Sequence, residues 1–205
     1  MFGSNIWNFY ASCYDKLWAQ KFVLTPSRNL ILKTIAELPP PENILDVGCG
    51  IGQLCHSMSQ HYPTAKIIGI DPSVKMIDRA KECFSGENIH YDCIETESLS
   101  TDLQFDLIVS TNAFPYIRDK KLFLDKIKLH LKPNGRLLLL FANNNNLYDA
   151  LWLMFVKLTT SKANYLSVSS TQQLLNESGF VTGRIQRIES SSFLPSVFMV
   201  EGSIH

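Results

Sequence analysis

Two carboxylates and three glycines carry the first chemistry that can be read from this chain. The stretch Asn43 to Gly52 runs Asn-Ile-Leu-Asp-Val-Gly-Cys-Gly-Ile-Gly. Gly48, Gly50 and Gly52 let the backbone take conformations closed to residues with a Cβ, and let a ligand come close to it. Asp46 stands two residues before the first of them. A carboxylate there repels a pyrophosphate and suits a ligand bearing an ammonium group. Asp71 follows the turn by about the interval at which an acidic side chain meets ribose hydroxyls. A carboxylate accepts two hydrogen bonds at once and so grips a vicinal diol. The dinucleotide fingerprint is G-x-G-x-x-G, and here Gln53 holds the place of its third glycine. At this point a dinucleotide site, a turn that binds nothing, and Asp71 as an ordinary helix cap all stay open.

These residues need a strand before them and a helix after them. Ile44, Leu45 and Val47 supply a short buried strand, and Gln53 to Gln60 lacks Pro and Gly and reads as a helix. The first N–H groups of that helix point back at the turn. Ala65 to Asp71 is a second strand, and Val74 to Phe84 a second helix with Ser73 as its cap. Ile89 to Asp92 and Phe105 to Ser110 are further strands. A helix over Leu122 to Leu131 stops at Lys132-Pro-Asn-Gly135, and a fully buried strand, Arg136 to Phe141, follows. Beyond the Asn143 to Asn146 loop, Leu147 to Leu158 reads as a helix in which Tyr148 or Trp152 would line a pocket or simply pack. A later helix is capped by Ser169 or Ser170 and closed by Gly179; two strands, Phe180 to Ile188 and Ser196 to Gly202, complete the pattern. Ahead of the corner, Trp7, Phe9, Tyr10, Tyr14, Leu17 and Trp18 recur at helical spacing, and Arg28 to Leu38 is a helix ended by three prolines. The alternation is that of a doubly wound α/β domain over residues 1–205.

Composition narrows the partners. The 205 residues are 45% hydrophobic, and nineteen basic residues balance nineteen acidic ones. Zero net charge gives no electrostatic footprint for nucleic acid or an anionic membrane. Five cysteines without a C-x-x-C pair point to free thiols in a reducing compartment. The first residues lack the pattern of a secretory leader, and Leu147 to Leu158 is too short to span a bilayer. The expectation is a cytoplasmic protein. The histidines show no ligand spacing with carboxylates, so no metal is expected.

The run D-V-G-C-G-I-G with Asp71 resembles motif I of the class I S-adenosylmethionine-dependent methyltransferases, of the small-molecule type. That resemblance implies a seven-stranded, mostly parallel sheet whose last strand is antiparallel, with helices on both faces. It implies S-adenosylmethionine as cofactor, held by Asp46, Gly48, Cys49, Gly50, Gly52, Asp71 and Pro72. Asp92, Cys93 and Ile94 match the place that borders the adenine. The segment F-D-L-I-V-S-T-N-A-F-P-Y-I is similar to the family's floor under the methionine half, which brings in Ser110 and Thr111. Some members carry a histidine facing the substrate in this stretch; here that place is Pro115. Other matching pieces are L-K-P-N-G before the fifth strand and L-L-N-E-S-G-F near the end. The segment N-F-Y-A-S-C-Y-D-K-L-W is similar to an N-terminal part that closes over the cofactor, making residues 1–40 a lid with Tyr10 and Tyr14 in it.

The chemistry implied is methyl transfer to O, N or C of a small metabolite by in-line displacement, accelerated mostly by orientation. If the acceptor keeps its proton until attack, Tyr10, Tyr14 and Tyr116 are the candidate bases. Residues 143–168 are placed to build the acceptor side. A cofactor-binding module without catalysis, and an enzyme acting on RNA or protein, remain the alternatives.

Overall fold

Ile44, Leu45 and Val47 are all buried, as a run without polar alternation requires of a strand covered on both faces. The computed structural model places them in β1 (Asn43–Val47), at the centre of the sheet. It describes residues 7, 8, 11, 20–160, 163–188 and 195–204 and, within these, all side chains except those of 97, 155 and 157–160. Among the described residues the other strands are β2 (Lys66–Ile70), β3 (Ile89–Asp92), β4 (Phe105–Thr111), β5 (Leu131–Ala142), β6 (Val181–Arg187) and β7 (Val197–Ser203). All seven join one sheet in the order β3-β2-β1-β4-β5-β7-β6. Pairings from β3 across to β5 are parallel, whereas β7 runs antiparallel to both β5 and β6. Strand order reverses between β1 and β4, and in such sheets the crevice at that point, outside the carboxyl ends, is where ligands sit.

Among the described residues the α-helices that flank the sheet are α1 (Thr25–Ile35), α2 (Gln53–His61), α3 (Val74–Cys83), α4 (Lys120–His130), α5 (Leu147–Thr160) and α6 (Val168–Glu177). Ile31, Ile35, Leu54, Met58 and Ile77 from α1 to α3 pack on one face of the sheet with Ile44, Leu107 and Leu138. Phe123, Ile127 and Leu175 from α4 and α6 pack on the other with Leu45, Ile108 and Leu139. Adjacent strand residues thus feed opposite layers, which is the period-2 geometry of a strand.

Three local readings are adjusted. The helix before the prolines begins earlier, at Thr25, with Pro26 in its first turn where the missing N–H is harmless. It ends at Ile35, after which Glu37 and Leu38 donate to carbonyls three residues back, at 3.1 and 3.0 Å, in a tightened last turn. The cap of α6 is Ser167, not Ser169 or Ser170: it keeps an extended backbone, and its Oγ accepts from Ser170 N at 3.0 Å. Leu131 already pairs with Phe105, so the Lys132–Gly135 turn is an irregularity inside β5 rather than a linker before it. Asn134 turns it at φ 63°, a left-handed backbone that Asn tolerates.

Asp106 ties the entry edge of the sheet together. Its Oδ2 accepts from Glu42 N and Asn43 N at 3.0 and 2.8 Å, and Lys132 Nζ donates to both carboxylate oxygens at 2.9 and 3.0 Å. Burial opposes the charge, but Lys132 and the two amides outweigh it and hold the carboxyl below its ordinary value. A lowered value stabilises the fold above the ordinary carboxylate range and is lost as pH falls through it. D106A is expected to cost about 1–3 kcal/mol in urea denaturation at neutral pH, since it strands two amides. The difference from the wild type should shrink below about pH 4.

Candidate active site

The turn after β1 is pinned from both sides. Gly48 N and Cys49 N donate to Ile70 O, at 2.8 and 3.1 Å, which fixes the turn to the end of β2. Gly48, Gly50 and Gly52 take φ of 74°, 55° and 84°. A Cβ on Gly48 would overlap Ala113, just beyond β4, and one on Gly52 would run into the ring and hydroxyl of Tyr91 on β3. A Cβ on Gly50 meets nothing within 4 Å. Two of the glycines are therefore needed for packing, and the middle one faces open space in which a ligand can lie.

Both predicted carboxylates flank this turn. Asp46 is 1% exposed, and its Oδ2 accepts from Cys55 Sγ at 3.3 Å. Burial pushes its carboxyl up to about 7; the Cys55 bond works against the shift and the charge of Asp71 adds to it. In the unliganded chain this group takes up a proton on folding between its ordinary value of 3.8 and about 7, so its contribution to stability falls as pH rises across that window. Asp71 Oδ2 accepts from Gly50 N at 3.0 Å and Oδ1 from Ser73 N at 2.9 Å. Burial lifts it to about 6 against those two bonds. Ser73 caps α3 as expected, its Oγ accepting from Met76 N at 3.3 Å. Burial likewise raises the thiols of Cys49, to about 11, and Cys55, so neither offers a thiolate nucleophile at neutral pH.

The end of β4 supplies the third wall. Ser110 is fully buried, and Ser110 Oγ and Thr111 Oγ1 lack a hydrogen-bond partner among the described residues. Thr111 lines a cleft with Asp46, Gly48, Cys49 and Ile51. Asn112 takes φ 60° and donates from Nδ2 to Ser27 Oγ at 3.4 Å, joining this end to α1. Tyr116 follows in a short 3-10 turn, Phe114–Tyr116. Its ring meets the edge of Trp7 at 5.1 Å, and its hydroxyl lies 3.2 Å from that of Tyr165. Pro115, in the place of the family's histidine, is buried, and its carbonyl accepts from Asn164 N at 2.8 Å. Lys120 holds the same turn, donating to Ile117 O at 2.9 Å; burial lowers its ammonium to about 8.

Several site residues carry no sequence motif. Arg28 of α1 lines the same cleft as Asp46 and donates to Gln53 Oε1 at 2.9 Å and Gln20 Oε1 at 3.1 Å. Tyr91 props the turn from beneath, its hydroxyl donating to Phe84 O at 2.8 Å. Of the predicted residues, Pro72 follows Asp71 and is exposed. Asp92 and Cys93 stand at the end of β3 and outside the cleft; Asp92 Oδ1 is 2.9 Å from His90 Nε2, and Ile94 packs on the core beside them. Tyr148 and Trp152 pair with each other on α5, at 3.0 Å, and line neither this cleft nor the groove below. Tyr10 and Tyr14 lie outside the described residues. A groove of about 490 Å³ opens between the start of α4 and the length of α6, lined by Arg118, Lys120, Asn164, Ser170, Gln173 and Glu177. It adjoins the Tyr116 turn, since Lys120 and Asn164 both hold the Pro115 carbonyl.

Comparison with known proteins agrees with this architecture. The malonyl-(acyl-carrier protein) O-methyltransferase of Priestia megaterium is 31% identical over 137 residues, 64% of this chain and 47% of that protein. The ubiquinone biosynthesis O-methyltransferase of Nitrobacter winogradskyi is 34% identical over 106 residues, 50% of this chain and 39% of that one. The matched stretches thus span less than half the length of these two curated relatives. The N-methyltransferase NodS of Bradyrhizobium japonicum, solved with S-adenosyl-L-homocysteine, shares the fold at TM-score 0.79 and 16% identity, over 98% of this chain and 97% of its own. The profile of a family described as a methyltransferase domain matches residues 19–182, and the chain belongs to that family.

Proposed function

We propose that this chain is an S-adenosylmethionine-dependent methyltransferase acting on a small-molecule acceptor. The observation that carries the reading is the corner itself: a buried acid, a glycine turn open at Gly50, and a second acid bound to that turn. The donor is an α-amino acid joined through a sulfonium to a nucleoside, and the residues present fit it from end to end. Asp46 takes the ammonium and Arg28 the carboxylate, both lining one cleft. Asp71 takes the ribose diol with the lone pairs left over from its two backbone bonds. Pro72, Asp92, Cys93 and Ile94 border the base. Cys49, Gly48 and Gly52 complete the turn. Thr111 presents its hydroxyl oxygen to the positive sulfur, which answers its lack of a partner; Ser110, one residue earlier on β4, points to the other face of the sheet.

When bound, the donor supplies a methyl whose C–S bond breaks with its electrons left on sulfur as the acceptor atom bonds to carbon. The side chains around it orient that acceptor and keep water out. Tyr116, linked to Tyr165, faces the acceptor side and is the described candidate for moving a proton; Tyr10 and Tyr14 hold that role from the N-terminal lid, residues 1–40. Residues 143–168 and the adjoining groove shape the acceptor site within one domain, 1–205. Relatives named for malonyl-carrier and ubiquinone-pathway O-methylation support a metabolite rather than a nucleic acid. Among the described residues no helix is long and apolar enough to cross a membrane, and Cys49, Cys55, Cys83 and Cys93 are free, in keeping with the cytoplasm.

Isothermal titration tests the donor assignment: saturable binding of S-adenosylhomocysteine is expected, and its absence would remove the reading. Transfer of labelled methyl from the donor into a metabolite extract tests catalysis. Because the ammonium favours ionised Asp46, affinity should fall as pH drops through about 7, by at most about tenfold per unit for that group. In D46N binding should weaken, and only the dependence from Asp71, near 6, should remain. The glycines separate packing from contact. G52A should lose roughly 1–3 kcal/mol of stability through backbone strain and more through the Tyr91 clash. G50A, whose Cβ projects into open space, should keep more of its melting temperature yet bind no S-adenosylhomocysteine.

A further inference from the structure

We infer that Gln53 is a positioning and specificity-determining residue: with Gln20 and Thr25 it fixes the Arg28 guanidinium in the cleft, so that the site selects a nucleoside whose tail carries a carboxylate as well as an ammonium. The inference rests on the donor reading above. Arg28 Nη1 donates to Gln53 Oε1 at 2.9 Å and to Gln20 Oε1 at 3.1 Å, and Nη2 donates to Thr25 Oγ1 at 2.9 Å. A guanidinium is a rigid plane of donors, so three bonds at two of its nitrogens set the orientation of the whole group. The holders come from separate stretches. Thr25 lies on α1 with Arg28, Gln20 in the π-helical turn Gln20–Leu24 that runs into α1, and Gln53 on the first turn of α2. Turns of the π kind recur at functional sites.

Arg28, Gln53 and Asp46 line the same cleft. The two glutamines and the threonine are neutral acceptors, so they direct the cation without cancelling its charge. The start of α2 adds to the effect. Gly52, its N-cap, gives no side chain to the first N–H groups of the helix, and Gln53 and Leu54 of that turn line the cleft. An anion there meets the positive end of a nine-residue helix as well as the guanidinium. An α-amino acid carries its ammonium and its carboxylate on one carbon, and Asp46 and Arg28 answer the two from one cleft. Gln53 also stands where the dinucleotide fingerprint has its third glycine. A glycine has no side chain with which to hold an arginine. The departure from that fingerprint and the choice of an amino-acid tail therefore have one cause.

Two nucleosides isolate the carboxylate: S-adenosylhomocysteine, and the same thioether nucleoside with a 3-aminopropyl tail, which keeps the ammonium and lacks the carboxylate. In isothermal titration the wild type should prefer the first by about ten- to hundredfold, as one charge-assisted contact allows. In R28M the preference should shrink to within about threefold. Q53M keeps the length of the side chain and its helix propensity but offers no oxygen acceptor. Its preference should fall about fivefold, the loss of one net hydrogen bond. Q53E is the decisive variant. Its carboxylate holds Arg28 but neutralises the charge that the ligand needs, so the melting temperature should stay at or above that of the wild type while the preference falls at least as far as in Q53M. D46N should weaken both nucleosides alike, because both carry the ammonium. If Gln53 only braced α1 against α2, Q53E would keep the preference along with the stability, and that result overturns the inference. So does a preference unchanged in R28M or in Q53M. A wild type that binds neither nucleoside overturns the donor reading and this inference together, whereas S-adenosylhomocysteine bound without preference over its counterpart overturns this inference alone.

Discussion

The close approach of the glycine turn to its two neighbours sets the rest of the site. Ala113 lies where a Gly48 side chain would be, and Tyr91 fills the space a Gly52 side chain would need. With the turn wedged between β4 and β3 and tied to Ile70, its middle has a single direction left to face. That direction is the crevice at the β1–β4 reversal, where Asp46, Asp71 and Thr111 converge because strands β1, β2 and β4 all end there. The sheet order is thus what brings residues far apart in the chain onto one corner, and the wedge is what keeps the corner shaped without a ligand.

Burial then decides how the acids behave. Burial lifts the Asp46 carboxyl to about 7, and the bond from the Cys55 thiol works against that shift without cancelling it. Isolated charge in such a place is costly, so the group waits between its two states. Asp106, at the amino ends of the central strands, shows the contrast: Lys132 and two amides offset its charge, and it is held low. One acid is satisfied by the fold and the other is left for something the fold does not contain. An unfulfilled acid at a ligand crevice is the pattern expected of a binding group rather than of a structural one.

The corner is legible in the sequence because its demands are local. Only glycine fits the turn, an apolar run must precede it, and an acid must end the next strand; each demand is met within a few residues of its neighbour. Arg28 and Tyr91 are not legible, because each acts across the fold on a partner chosen by packing. Tyr91 reads as one aromatic in a strand, and only the sheet order puts its ring under Gly52. The serines 167, 169 and 170 give one indistinct capping signal, and what selects Ser167 is Asn145 Oδ1 accepting from Val168 N at 2.9 Å, a contact from another loop. The Lys132–Gly135 turn reads as a break, yet strand pairing begins before it, since Phe105 is already in register with Leu131.

The two ends of the corner are prepared to different degrees. Asp71 already spends a bond on Gly50 and another on Ser73, and a carboxylate has roughly four lone-pair sites, so a diol can join without displacing either. The sugar end is therefore built before anything arrives. The Asp46 end is not, because its charge develops fully only when a cation enters. A ligand with hydroxyls alone would find half a site, and one with an ammonium alone would find the other half at the cost of ionising a buried acid. Binding energy from the sugar can offset that cost only when both groups belong to one molecule. The geometry thus selects for a nucleoside carrying an amino-acid tail over either fragment, through the price of a single buried charge.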